Sequence, residues 1–427
     1  MHILFLTHYF PPEVNAPATR TWEHCRLWAA AGHRVTVITC VPNCPAGVAF
    51  DGYRNRWKTE EIVDGVRVIR VWTWLSANRG FFGRVLNYTS YLVRAVLSAV
   101  WLRNVDVVVA TSPQFFCGWA GVLCRWIRRW PFVLEVRDLW PESIVTVGAM
   151  RKSWLTRLLE FLERRMYAAA GHVVTVGEGY RQKLCERGVP AGKVSVVPNG
   201  VDLDEFVPAR RGPVPRSRPF VCGYLGTVGM AHGLEVVLEA AETLRQRGRH
   251  DVVFEIVGDG AERERLAEDA ARRGLPNVRF AGLVPREQVP AVLSGFDAAL
   301  VHLRGAELFG TVIPSKIFEA MALNVPIIMG VSGPACEIVQ AAGAGVAMTP
   351  DDAGSLIECV ERVQSNAALL RGGRRYVEQH FGRRELAERM LHVLEQITGR
   401  RRSEPEIIPL ADHRPAGAEA GTMRHAA

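Results

Sequence analysis

Short apolar runs alternate with longer amphipathic stretches through the first half of the chain. Residues 3–6, 35–38, 66–71, 105–110, 132–136, 173–176 and 194–197 are rich in valine and isoleucine, and several are apolar throughout. Uninterrupted runs of this length are expected of strands buried on both faces of a parallel sheet. Between them, residues 17–31, 85–103, 115–129, 153–169 and 179–187 read as helices. This β-then-α rhythm predicts a doubly wound α/β domain. It pauses at Pro198-Asn199-Gly200-Val201-Asp202 and breaks between Pro208 and Pro219, where PARRGPVPRSRP is dense in proline and arginine and has no period. Such a segment reads as a linker. The rhythm then restarts, with strands predicted at 220–225, 252–257, 278–281 and 298–302 and helices at 233–247, 261–273, 286–293, 314–322 and 353–364.

The expected organisation is an N-terminal domain over 1–200, a linker over 201–219, a C-terminal domain over 220–380, a helix over 381–399 that packs back on the first domain, and a flexible tail over 400–427. Two α/β domains joined by a hinge usually hold a ligand in the cleft, at the carboxyl ends of their strands.

Length and composition agree with this layout. The chain has 427 residues, 48% hydrophobic and 22% charged, which excludes a disordered chain or a small disulfide scaffold. The nine cysteines form no C-x-x-C pair and no zinc-type spacing, and they read as reduced thiols of a cytosolic protein. The opening residues, MHILFL, look like a strand and not a signal peptide. A net charge of +8 suits an anionic partner. It carries no recognised nucleic-acid module, so nucleic acid is not an expected partner.

Two apolar stretches, near 81–103 and 115–130, combine aromatic residues with arginine. Neither is long and clean enough to span a bilayer. They are read either as sheet-covering helices or as helices lying in a membrane interface. The second reading makes the protein peripheral at the inner face of the cytoplasmic membrane.

Five segments carry candidate chemistry. The first is the turn after the opening strand, Thr7-His8-Tyr9-Phe10-Pro11-Pro12-Glu13-Val14-Asn15-Ala16-Pro17. It leads into a helix N-terminus, where free N–H groups favour phosphates and sugar hydroxyls. In the second, Glu135-Val136-Arg137-Asp138-Leu139-Trp140-Pro141-Glu142-Ser143, charges follow an apolar strand directly. Asp138 could position a hydroxyl and Arg137 could meet an anion, or the two could pair and cap the next helix. The third, GYLGTVGMAHG over 223–233, and the fourth, Val257-Gly258-Asp259-Gly260, set glycines after strands. Glycine lets backbone approach a phosphate closely, or serves a turn. The fifth, ELFGTVIPSKIFEAM over 307–321, has Pro314 in the first turn of a helix. Ser315 and Lys316 would then stand where a diphosphate is held, and Glu319 one turn on could accept both hydroxyls of a ribose.

In this order, the five segments resemble family 4 of the glycosyltransferases, across about the first 395 residues. RDLWPES together with PSKIFEAM is similar to the branch containing L-fucosamine transferases of bacterial O-antigen and capsule clusters. The resemblance implies a GT-B fold, two Rossmann-like doubly wound domains facing across an interdomain cleft. It also implies a retaining, metal-independent transfer from a nucleotide-diphosphate sugar, expected to be UDP-linked, to a lipid-linked or glycan acceptor. Lys316 would meet the diphosphate and Glu319 the ribose. Gly226, Thr227 and Gly229 would lie beside the phosphates, Gly258 and Asp259 near the nucleotide, and Val284 against the base. Asn15 and Ala16 take the places of two glycines in the first loop. Asp138 would stand near the reacting sugar, so that Asp138, Lys316 and Glu319 are the expected catalytic residues.

Three departures follow from the same comparison. Thr311 stands where many members carry a first glutamate, with Glu307 four residues early. The first loop lacks its glycines. His232 stands near a lysine position, and no arginine clearly matches the second phosphate-binding cation. Asp202-Leu203-Asp204 lies in the linker and is assigned no metal. Competing readings are a nucleotide-sugar epimerase of the same fold and a non-catalytic membrane-associated binding subunit.

Overall fold

A computed structural model describes residues 1–13, 15–44, 46–76, 81–112, 115–140, 142, 153–208, 218–366 and 370–399. The centre of the predicted linker (209–217), the tail (400–427), and Pro141 and Ser143 lie outside the described residues, as do the side chains of Phe81, Glu307 and Leu308.

The first sheet is built from β1 (His2–Leu6), β2 (Arg34–Cys40), β3 (Lys58–Val63), β4 (Val66–Val71), β5 (Val107–Ser112), β6 (Phe132–Val136), β7 (His172–Thr175) and β8 (Val194–Val196). Their order is β3-β4-β2-β1-β5-β6-β7-β8. The pairings are parallel except β3 with β4. Every residue of β1, β5 and β6 is buried, as the unbroken apolar runs require. The apolar criterion passed over β3, whose KTEEIV sequence alternates exposed and half-buried positions at a sheet edge. Its hairpin turns on Asp64 and Gly65, both with positive φ, the conformation that a two-residue Asp-Gly loop supplies.

Helices α1 (Ala16–Ala30), α2 (Phe81–Ala99), α3 (Phe115–Arg128), α4 (Trp154–Ala169) and α5 (Glu178–Glu186) complete this domain. The order of strands reverses beside β1, which pairs with β2 on one side and β5 on the other. The loop from β1 into α1 therefore opens at the switch point, where α/β domains bind ligands.

The second sheet is wholly parallel, with order β11-β10-β9-β12-β13-β14. Its strands are β9 (Phe220–Leu225), β10 (Val252–Val257), β11 (Val278–Gly282), β12 (Ala298–His302), β13 (Ile327–Gly330) and β14 (Gly345–Ala347). The covering helices are α6 (Glu235–Gln246), α7 (Arg263–Arg273), α8 (Val289–Gly295), α9 (Lys316–Ala322), α10 (Pro334–Ala341), α11 (Ala353–Asn366) and α12 (Gly373–His380). All nine cysteines are free thiols. Among the described residues, no helix is long and apolar enough to cross a membrane.

Helix α13 (Arg383–Thr398) returns to the first domain and lies on α1. Leu386, Met390 and Leu394 join a core with Ile3, Phe5 and Val35, and Trp28 Nε1 donates to Ala387 O at 2.9 Å. The two halves meet at Glu23 of α1, a carboxylate with no exposed surface. It pairs with Arg286, between β11 and α8, at 3.0 Å and also with Arg383. Arg286 further donates to Thr19 Oγ1 at 2.6 Å and pairs with Glu205 at 2.8 Å. Glu23, Asp202 and Glu205 converge closely enough to suggest a cation site. Each is already paired with a guanidinium, Asp202 with Arg26 at 2.5 Å, so the cluster is an ion-pair network. Removing one partner of a buried pair leaves an uncompensated charge, at about 3–5 kcal/mol. Glu23→Ala is therefore expected to lower stability by about that amount, read as a fall in the urea or thermal midpoint. An unchanged midpoint would contradict it.

Candidate active site

The carboxyl ends of β9, β10 and β11 are stitched together by backbone. Gly226 N donates to Val257 O at 2.9 Å, Gly258 N to Gly282 O at 2.7 Å, and Val228 N to Asp259 O at 2.9 Å. Gly226 and Gly258 have φ of +142° and +136°, and a Cβ on Gly258 would lie 1.9 Å from Gly226 O. Only glycine fits there. Of the residues expected beside the phosphates, Thr227 accepts the Tyr224 hydroxyl through its carbonyl at 2.6 Å. Gly229 precedes the short turn Met230–His232. Asp259 is exposed and turns its carboxylate to Gly260 N at 2.9 Å.

Lys316 reaches into this corner. Its Nζ lies 3.9 Å from the centroid of the Tyr224 ring and 2.8 Å from where a Cβ on Gly226 would be. The ammonium is buried and makes no hydrogen bond among the described residues. Burial, opposed by the Glu319 carboxylate, brings its pKa down to about 8. Burial pushes Glu319 up to about 7, against the pull of Arg286 and Lys316. His232 stands edge-on to Tyr224 at 5.9 Å. Burial and the Lys316 charge lower its pKa to about 3, so its ring is neutral. Hence Lys316 supplies the positive charge in this corner, and His232 does not.

The helix start differs from expectation. The first residue of α9 is Lys316, not Pro314, and Ser315 occupies the cap position without a side-chain cap. Ile317 N and Phe318 N already donate to Pro314 O and Ser315 O, at 3.2 and 3.1 Å. These bonds leave fewer free N–H groups at the start of the helix. Val284 is half-buried against the second domain's core, two residues before Arg286.

The facing wall comes from the first domain. Asn15 caps α1, accepting from Ala18 N at 2.8 Å, and Ala16 is the first residue of the helix. Asp138 accepts its neighbour's N–H, from Leu139, at 2.8 Å. Burial raises the pKa of the Tyr180 phenol, and the nearby charge of Asp138 adds to it. Tyr180 follows Gly179, where an added Cβ would touch Thr311 at 3.0 Å. Thr311 therefore meets the first domain across the cleft, close to the wall that carries Asp138. Arg137 is not a free anion partner. It lies 3.7 Å from the buried Glu135 and donates to Pro17 O at 3.2 Å. Its charge offsets the carboxylate that β6 buries, which Arg20 holds at 2.8 Å.

One small cavity was not anticipated. It lies at the first domain's strand ends, between the β1 loop and α2, lined by His8, Tyr9, Asn43, Arg84, Asn87 and Tyr88 among others. His8 and Tyr9 belong to the first candidate segment, whereas Asn87 interrupts the apolar stretch read either as sheet-covering or as interfacial.

The Glycosyl transferase 4-like domain matches residues 15–200, and Glycosyl transferases group 1 matches residues 209–379. The chain belongs to family 4 of the glycosyltransferases. A relative in Escherichia coli K12, named for colanic acid biosynthesis as the glycosyl transferase WcaI, is 28% identical over 76% of this chain and 82% of its own. Among solved structures, sucrose-phosphate synthase from Thermosynechococcus elongatus aligns with a TM-score of 0.71 at 18% identity, covering 93% of this chain and 99% of that one. The HepE protein of Anabaena, in complex with UDP-glucose, aligns at 0.68 and 18% identity, covering 93% and 100%. These structures share the two-domain GT-B fold.

In this glycosyltransferase, Gly258→Ala forces a side chain onto Gly226 O at a φ that L-residues rarely adopt. Backbone strain alone costs about 1–3 kcal/mol. The variant is expected to lower the second domain's thermal midpoint, whereas the same change at Gly248, which has open space around it, has a smaller effect. Equal shifts would refute the close approach.

Proposed function

We propose that the protein is a retaining glycosyltransferase of bacterial surface polysaccharide synthesis, which moves a sugar from a UDP-linked donor to a lipid-linked or polysaccharide acceptor. The N-acetylated amino sugar implied by the fucosamine-transferase resemblance is the proposed donor class. The observation that carries the reading is the buried, unpartnered Lys316 ammonium beneath the Gly226–Gly258 corner. A fixed cation in a site that excludes water is the means of stabilising charge that grows on a leaving group. The name of the colanic acid relative supports the pathway, and UDP-glucose bound to HepE supports a UDP-linked donor.

In this mechanism the acceptor hydroxyl oxygen bonds the anomeric carbon as its bond to the diphosphate oxygen breaks. The electron pair passes to the diphosphate, whose charge Lys316 meets. The hydroxyl proton goes to the leaving phosphate or to Asp138. Glu319, as a carboxylate, accepts the ribose hydroxyls, while the loops at Thr227, Gly229 and Asp259 surround the phosphates and Val284 meets the base through its backbone. Asn15, Ala16, Pro314 and Ser315 line the entrance from the two sides.

A membrane-facing role for α2 belongs to the same reading. Tyr91, Ala95 and Ala99 pack on the sheet, while Phe82, Leu86, Val93 and Leu97 form one exposed stripe. Trp101 follows at 84% exposure. In α3, Trp126 and Ile127 are exposed beside Arg125 and Arg128, and neither helix contains an acidic residue. Apolar faces with flanking arginines suit an anionic bilayer surface.

Glu319→Ala is expected to weaken UDP binding by about 1.5–3 kcal/mol, the loss of charge-assisted hydrogen bonds. Calorimetry across pH provides a second check. Below about 7, Glu319 takes up a proton and accepts less well, and above about 8, Lys316 loses its charge, so affinity peaks between them. Lys316→Met removes the alkaline fall. Unchanged affinity in Glu319→Ala would remove the ribose assignment. Serine at Phe82, Leu86 and Trp101 should release the protein from anionic vesicles in a sedimentation assay and leave UDP binding intact. Retention on the vesicles would put the membrane contact elsewhere.

A further inference from the structure

His302 ends β12 and is 1% exposed, and the proposed mechanism leaves it unused. Both of its ring nitrogens are engaged. The backbone N–H of Asp351 meets Nε2 at 2.9 Å, and a backbone N–H can only donate. Nε2 is therefore the acceptor, so the proton sits on Nδ1, which donates to His232 O at 2.6 Å. Burial lowers the pKa of this ring and keeps it in the neutral form that both bonds require. Two glycines leave room for it. A Cβ on Gly330, its register partner on β13, would collide with His302 Cδ2, and one on Gly233 would lie 3.1 Å from Cε1.

The turn that His302 holds is tied at two more carbonyls. Arg304 Nε donates to Met230 O at 2.7 Å, and Arg304 N to Ala231 O at 2.9 Å. Asp351 closes the arrangement, because its Oδ2 accepts Gly305 N at 2.7 Å. The turn after β9, the end of β12 and the loop after β14 thus meet on one imidazole. The side chain this turn brings to the Lys316 corner is His232. Its ring and the Lys316 ammonium both lie against Tyr224, and its Nδ1 has no hydrogen-bond partner among the described residues.

We infer that His302 is a positioning residue for the phosphate end of the donor, holding the Met230–His232 turn so that the His232 ring is set beside the Lys316 ammonium. The inference rests on the donor reading above and adds to it a residue that touches no part of the donor. The diphosphate then meets one cation and one neutral imidazole, which supplies a hydrogen bond and no charge. A turn tied at three successive carbonyls presents that ring already in place, so binding an anion costs little reordering. Without the Nδ1–H bond, the His232 carbonyl loses its anchor and the ring its fixed position.

The test compares UDP, measured by calorimetry, with uridine, measured by ligand-detected NMR titration, so that the ratio of affinities reports the phosphates alone. His302→Leu keeps the apolar volume and removes both bonds. It is expected to lower the UDP-to-uridine ratio about tenfold and to leave uridine binding unchanged. His302→Asn sets an amide N–H close to the place of Nδ1 and should restore most of the ratio. A fall in thermal midpoint with an unchanged ratio is the signature of a purely structural role and overturns the inference. Equal losses in His302→Leu and His302→Asn also overturn it, since the ring would then act by packing. Should His302→Leu fail to fold, Arg304→Ala decides. This exposed substitution cuts the bond to Met230 O and should lower the same ratio by a smaller factor, and an unchanged ratio overturns the inference. Failure of the unaltered protein to bind UDP would instead remove the donor reading on which the inference rests.

Discussion

Glu23 decides how the two halves of this protein meet. A carboxylate with no exposed surface needs charge and hydrogen bonds around it, and those come from Arg286 of the second domain and Arg383 at the start of the last helix. Arg286 in turn holds Thr19 and Glu205. First domain, second domain, connecting segment and returning helix are therefore joined at one point. Gly177 and Gly179 of the first domain then come against Ile313 and Thr311 of the second. Arg286 also acts on Glu319 through its charge, so the junction and the Lys316 corner share one cation.

The cleft divides its work between unlike walls. The second domain offers close-set backbone, a buried ammonium and a carboxyl whose pKa has risen to about 7. These groups lie near neutrality, where binding an anion can fix their protonation. The first domain offers a half-buried Asp138, a capped helix start at Asn15 and a small polar cavity.

Charge in this chain is spent on structure more often than its sequence suggests. Arg137 follows a buried strand directly and looks available, yet it lies against Glu135, which β6 places inside the domain. His232 stands near the expected position of a lysine, yet burial next to Lys316 keeps it neutral. The acidic residues Glu23, Asp202 and Glu205 are neutralised by arginines that are distant in sequence. Glu135 is only two residues from Arg137, but the other partners come from distant elements, and no local pattern announces those.

Order along the chain determined the architecture. Unbroken apolar runs can be buried only inside parallel sheets, and the spacing of turns after them set the motif loops at strand ends. The positions of Gly226 and Gly258 after strands, and of Lys316 and Glu319 on the first turn of a helix, were legible for that reason. The edge strand β3 was not, because its charges face solvent at a sheet edge. Nor was the pocket, since His8, Asn43 and Arg84 come from three separate segments that meet only once β1, β2 and α2 pack together. Local sequence fixes which residues stand at strand ends, because backbone periodicity is local. Which of them become neighbours, and which charges are left unpaired, depends on contacts between distant elements, and only the tertiary structure decides that.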